Sequence, residues 1–185
     1  MRKIFKTGAC LWVAATLLLG GCSRPAVENT QSYTIHQQKV KLAPPKDWKV
    51  RQEKSPDSKD PNEIAAVIFE PPQGRGHIAV TITEGVAQTQ EFMDRLGNGI
   101  SARQGKILKQ WYEHKFDEPD KQNAYHMEYE LRDAGPSAPV QKGMQVQIFT
   151  QKKVLYSLVF TADPAVYDAN RATFLALVKS FDREP

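Results

Sequence analysis

Imidazole and carboxylate meet twice in this chain of 185 residues, at Glu113-His114 and at His126 with Glu128. Such pairs could hold a divalent cation or relay a proton, but a metal site needs three or four ligands converging. Both pairs fall on segments with strand alternation that could lie side by side, and they read as solvated residues on a polar strand face. His36 and His77 have no companion nearby in sequence. Gly74-Arg75-Gly76, within QGRGH, has the glycines of a phosphate loop; a strand pattern follows where a phosphate loop would open a helix, so the segment reads as a turn. The sequence contains no G-x-S-x-G, P-loop or H-E-x-x-H pattern. The expectation is a chain that is not an enzyme, with no catalytic residues, no metal and no cofactor.

Thiol chemistry remains, at Cys10 and Cys22. Arg2, Lys3 and Lys6 precede a nearly uncharged run from Thr7 to Leu19, the layout of a secretory signal. The run is shorter than the ~20 apolar residues of a spanning helix. It ends in Leu19-Gly20-Gly21-Cys22, which resembles the lipobox of bacterial lipoproteins: small residues admit the peptidase, and the cysteine becomes the lipid-bearing first residue. Residues 1–21 then read as a signal peptide and Cys22 as a lipidation site, the alternative being a secreted protein with a chance cysteine. Two or more acyl chains, each gaining ~0.8 kcal/mol per buried CH₂, hold a protein on a membrane where one chain does not. Ser23, rather than Asp, follows the cysteine and resembles the outer-membrane sorting pattern. The expected location is the cell envelope, lipid-anchored on the periplasmic face of the outer membrane.

Removing the signal changes the charge. The whole chain has 25 Lys+Arg against 21 Asp+Glu, a formal +4. Three of those cations leave with residues 1–21, so the mature chain stands at 22 against 21, or +1. No nucleic-acid partner is expected from such a balance. Cys10 leaves as well, and Cys22 is committed to lipid. The exported domain therefore has no disulfide to rely on, and its stability must come from a core. Residues 22–37 read as lipidated cysteine and tether, with Ser23 to Gln31 polar and aperiodic, and 38–185 as a single domain.

Alternation dominates that domain. QKVKL (Gln38 to Leu42) is a short strand ended by Pro44 and Pro45, and Trp48-Lys49-Val50 begins the next extended stretch. Ile64 to Phe69 and Val154 to Phe160 are apolar on both alternations, as strands covered on both faces are, and are expected to lie together centrally. HIAVTIT, AYHMEYEL and MQVQIFT instead alternate, each with one dry and one wetter face. Their wetter residues Thr81, Thr83, His126, Glu128, Glu130, Gln145 and Gln147 form the candidate partner surface. Helical spacing occurs twice. Thr89 to Arg103 aligns Phe92, Leu96 and Ile100 despite Gly97 and Gly99; a second helix has Asp163 as N-cap, Pro164 at its first position, and Tyr167, Phe174, Leu177, Val178 and Phe181 on one stripe. The class is α+β, a mainly antiparallel sheet with two principal helices packed on it.

The order of lipobox, PPKDWKV turn, one helix after an IAVTIT strand, and the terminal VLYSLVFTADPAVYDANRATFLALVKSF resembles the PsbP-like superfamily, which takes in DcrB-type bacterial lipoproteins and Mog-type Ran-binding proteins. The likeness spans roughly Val40 to Phe181. It implies helices on both sheet faces and members that act by binding or assembly. It also implies that Trp48 is buried against Phe174 and Phe181. The function expected is a membrane-anchored envelope lipoprotein that binds or assembles with an envelope protein partner; the alternative is an envelope hydrolase or small-ligand carrier with a scattered site.

Overall fold

Alternating apolar residues zip most of the chain into antiparallel pairs. The computed structural model describes residues 30–116, 122–132 and 138–183. Its strands are β1 (Gln31–Ile35), β2 (Gln38–Leu42), β3 (Lys49–Lys54), β4 (Ile64–Glu70), β5 (Gly76–Glu84), β6 (Lys106–Phe116), β7 (Gln122–Leu131), β8 (Gln141–Phe149), β9 (Val154–Ala162) and β10 (Asp182–Arg183). Helix α1 (Gln90–Ala102) joins β5 to β6, and α2 (Pro164–Ser180) joins β9 to β10. Seven strands form one sheet in the order β3-β4-β5-β9-β8-β7-β6, and β1-β2-β10 form a second, smaller sheet. The expected α+β class is the one observed.

Both helices begin within a residue of where the sequence places them. Thr89 Oγ1 accepts the Phe92 N–H at 3.2 Å. At α2 the Asp163 side chain makes no capping bond; Pro164 sets the first helical φ, and the Asp163 carbonyl accepts the Tyr167 N–H at 2.8 Å. The stripe of Tyr167, Phe174, Leu177, Val178 and Phe181 is buried as expected, against Ile78, Val80, Met144, Val146, Leu158 and Phe160 of the large sheet. The β1-β2 hairpin adds Tyr33, Ile35, Val40 and Leu42 to the same core. Each such side chain contributes about 1.5–3 kcal/mol relative to exposure. On the opposite face α1 buries Met93 and Ile100 in a second cluster with Tyr125, Met127, Tyr129 and Leu131. Tyr129 lies directly opposite Gly143, where an added Cβ would come within 2.4 Å of the ring. Only glycine lets that ring lie flat across the strand.

Three expectations are corrected. Folded structure begins before residue 38: Gln31–Ile35 pairs with β2 and buries Tyr33 and Ile35, so the tether assigned to 22–37 is part of the domain from Gln31 onward. Strands β4 and β9 are not neighbours, because β5 lies between them and pairs with both. Apolarity on both alternations reports cover on both faces and says nothing of which strand lies alongside. Trp48 is half-buried, its ring 6.4 Å from Phe160, which in turn meets Tyr167 and Phe174 of α2. Trp48→Ala is therefore expected to cost about 1.5–3 kcal/mol, less than the ~3–5 kcal/mol typical of a fully buried Trp. The shift in urea midpoint, multiplied by an unchanged slope, measures it.

Candidate functional site

Register decides which face a strand residue takes, and it divides the seven residues of the expected partner surface. His126 pairs with Val146 and Glu128 with Met144, so the polar residues of β7 share a face with the dry residues of β8, the face that α2 covers. Thr81 pairs with Ser157, and Gln147 also pairs with Ser157, which puts Thr81, Thr83, Gln145 and Gln147 on the other face. The set is not one surface.

Beneath α2 the polar residues of β7 act as structural ties. The His126 imidazole is 2% exposed, stacked on Trp111 with centroids 4.7 Å apart, and its Nε2 lies 3.3 Å from a Glu113 carboxylate oxygen. Lys109 Nζ sits 4.8 Å from the same indole. Glu128 accepts hydrogen bonds from Arg171 of α2 through both Nε, at 3.1 Å, and Nη2. That bonding raises the Arg171 pKa further, and burial, with the Glu128 charge, pushes the Tyr167 phenol well up. Glu130 stands in register between Lys106 and Lys142. The two imidazole-carboxylate pairs do lie on paired strands, β6 and β7, yet among the described residues no three His, Cys, Asp or Glu side chains are placed to hold a metal ion.

On the other face, cover is uneven. Helix α1 covers the part over β7 and the end of β8, through Tyr125, Met127, Tyr129, Leu131 and Phe149, and reaches Ile107 of β6, while Tyr112 of β6 stays exposed on this face. Gln145 and Gln147 are themselves buried here; Gln145 Nε2 lies 3.4 Å from the Met127 sulfur, and Gln147 Oε1 accepts the Ser157 hydroxyl at 2.5 Å. Over β5 and β9 the face stays half-open. Ala79, Thr81, Ser157, Val159 and Thr161 are partly exposed, and His77 and Thr83 are exposed. Along the boundary between α1 and this half-open area runs a groove of about 580 Å³ that includes Arg95 of α1 and Arg103, the residue that caps its C-terminus. Sequence reading missed these residues; the one signal pointing to them was the pair of glycines inside an amphipathic helix. QGRGH is a turn between β4 and β5, with positive φ at Gly74 and Arg75 and the Gly74 N–H bonded to the Pro71 carbonyl. Cys22 and the signal sequence lie outside the described residues.

No family model matches the chain, and no curated protein matches it. Among solved structures, it is similar to the solution structure of cyanobacterial PsbP (CyanoP) from Synechocystis sp. PCC 6803, with TM-score 0.56 and 16% identity over 90% of this chain and 99% of that one. A second similar structure is a protein of unknown function, PA94 from Pseudomonas aeruginosa, with TM-score 0.47 and 13% identity over 85% of this chain and 99% of that one. The CyanoP likeness is one of fold: two helices on a mostly antiparallel sheet, PsbP-like.

The division of faces can be read chemically, because the folded domain contains no cysteine of its own. In a Cys10→Ala, Cys22→Ala background, Thr83→Cys should react with a maleimide about as fast as a free thiol. Gln147→Cys and His126→Cys should react at least about a hundredfold more slowly until urea unfolds the domain. Equal rates at all three positions would contradict the assignment.

Proposed function

We propose that the protein is a bacterial envelope lipoprotein, held through lipid on Cys22, whose domain is a non-enzymatic binding or assembly module for an envelope protein. The observation that carries this reading is the half-open sheet face over β5 and β9, where Thr81 is partly exposed and Thr83 and His77 are exposed, beside the buried clusters that α1, α2 and the hairpin cover. A polar, partly covered sheet face is suited to a partner that adds the missing layer. The lipobox-like Leu19-Gly20-Gly21-Cys22 and the following Ser23 support an anchor on the periplasmic face of the outer membrane.

Strand β1 starts at Gln31, which limits where the domain can work. The nine residues from Ser23 to Gln31 span at most ~32 Å when fully extended, and as a flexible coil typically ~15–18 Å. Lipid on Cys22 would keep the domain near the bilayer, so the partner is membrane-embedded, membrane-apposed or brought to that surface. Metabolic labelling with a clickable fatty acid should mark the wild type and not Cys22→Ala. In the same cells, a version exported by an ordinary signal peptide, at matched periplasmic concentration, should fold normally yet fail to complement. Label retained by Cys22→Ala would remove the anchor from the account; full complementation by the unlipidated form would remove the membrane.

A further inference from the structure

A sheet that does not close on itself has two edge strands, and each turns backbone N–H and C=O groups outward, ready to pair with another strand. The edges of the large sheet are β3 and β6, and they are built differently. Strand β3 is six residues long and exposed throughout; it carries Lys49, Arg51, Glu53 and Lys54, with Arg51 bonded to Glu53 and Glu70. Charge at that density deters an incoming strand. Strand β6 is eleven residues long, and among the described residues no strand lies beyond it. Among the described residues the exposed large apolar side chains are Val50, Leu108 and Tyr112, and the two most exposed, Leu108 at 46% and Tyr112 at 57%, are both on β6.

The charges of β6 do not screen this edge as those of β3 do. Lys109 Nζ is drawn over the Trp111 ring, 4.8 Å from its centroid, and Glu113 lies against His126. What remains on offer is backbone and two apolar side chains. Leu108 is the extra residue where the register against β7 shifts between Ile107 and Lys109, and Tyr112 rests one side of its ring on Tyr125.

Leu108 and Tyr112 stand at equal distances either side of Gln110. An antiparallel pairing of two identical strands about Gln110 therefore sets Leu108 of each copy opposite Tyr112 of the other, the reciprocal contact that a two-fold interface requires. An aromatic ring also reaches diagonal neighbours across the pair, so the shift at Leu108 is tolerated. In this register no lysine falls opposite a lysine and no glutamate opposite a glutamate between Lys106 and His114. An axis at Tyr112 would set Lys109 against Lys115, and an axis at Trp111 would depend on Lys109 and Glu113, which are already engaged.

We infer that β6 pairs antiparallel with β6 of a second copy of this chain about an axis at Gln110, joining two seven-stranded sheets into one. The charged β3 edges stay at the outside, so the assembly closes as a dimer and does not grow into a filament. Strands β7 and β8 separate β6 from β9 and β5, and both half-open faces remain uncovered. A two-fold axis normal to the sheet carries each face onto its like, so the two open faces point to the same side.

The test uses the full chain in a Cys10→Ala, Cys22→Ala background, which leaves no other thiol. Gln110→Cys should form a disulfide-linked dimer under mild oxidation, because opposed Cα atoms in an antiparallel pair are about 4.5–5.5 Å apart, within disulfide reach. Thr83→Cys, exposed on the half-open face, should link at least about tenfold more slowly. In sedimentation of the full-length protein in detergent, the dimer fraction should rise with concentration. Leu108→Lys combined with Tyr112→Lys opposes lysines twice and should raise the dissociation constant about tenfold or more, with an unchanged urea midpoint because both side chains are exposed. Leu108→Glu combined with Tyr112→Lys should restore the dimer and make it salt-sensitive. A monomer at every concentration, Gln110→Cys linking no faster than Thr83→Cys, or a Glu–Lys combination that fails to recover what the Lys–Lys combination loses would each overturn the inference. So would a photoreactive residue at Gln110 that, in native membranes, captures a different protein and no second copy, which would give the edge to a foreign strand. The purified readouts need neither lipid nor the half-open face, so their failure leaves the binding-module reading standing.

Discussion

Phe160 is the point on which the architecture turns. It is fully buried on β9, the middle strand of seven, and its ring meets Tyr167 at 5.2 Å and Phe174 at 5.7 Å on α2, and Trp48 at 6.4 Å at the entry to β3. One aromatic contact set thus fixes the terminal helix, the central strand and the turn out of the hairpin in a single arrangement. Once α2 and the β1-β2 hairpin occupy that face, the opposite face is left to α1. Thirteen residues of helix cannot roof seven strands. The half-open area over β5 and β9 follows from that inequality, and with it a surface available to a partner.

Much of this was legible because the relevant signals are local. The helical spacing from Thr89, Asp163 and Pro164 at the start of α2, and the stripe ending at Phe181 are all contained within a few turns of chain, and the structure places each helix within a residue of where they point. Strand β1 escaped notice because QSYTI is only five residues long and alternates just two buried side chains, Tyr33 and Ile35, with polar ones. It is stabilised by its partner β2 and by α2, neither of which a local window contains.

The candidate surface was harder, for a different reason. Alternation within a strand separates two faces but does not label them, and the label comes from register with a neighbour. His126 and Gln145 looked equivalent along their own strands, yet the pairing of His126 with Val146 sends them to opposite sides of the sheet. Polar residues were also read as exposed, whereas Gln145 and Gln147 are buried beneath α1's flank and Glu128 is held by Arg171, 43 positions away in the chain. Long-range partners of that kind leave no trace in spacing. The residues that line the groove beside α1, Arg95 and Gly99 among them, were visible only as an anomaly: a helix with an unexplained glycine.

The proposed binding role requires one spatial arrangement, a partner that meets the half-open β5-β9 face and not the outer surface of α2. Site-specific photo-crosslinking in native membranes tests it most directly. A photoreactive residue at His77 or Thr81 should yield one discrete envelope-protein adduct, and the same probe at Ala172 or Ala176, exposed on α2, should yield none. Adducts forming from Ala172 and Ala176 while His77 and Thr81 stay silent would contradict the account, placing the working surface on the helix that the structure uses to close its core.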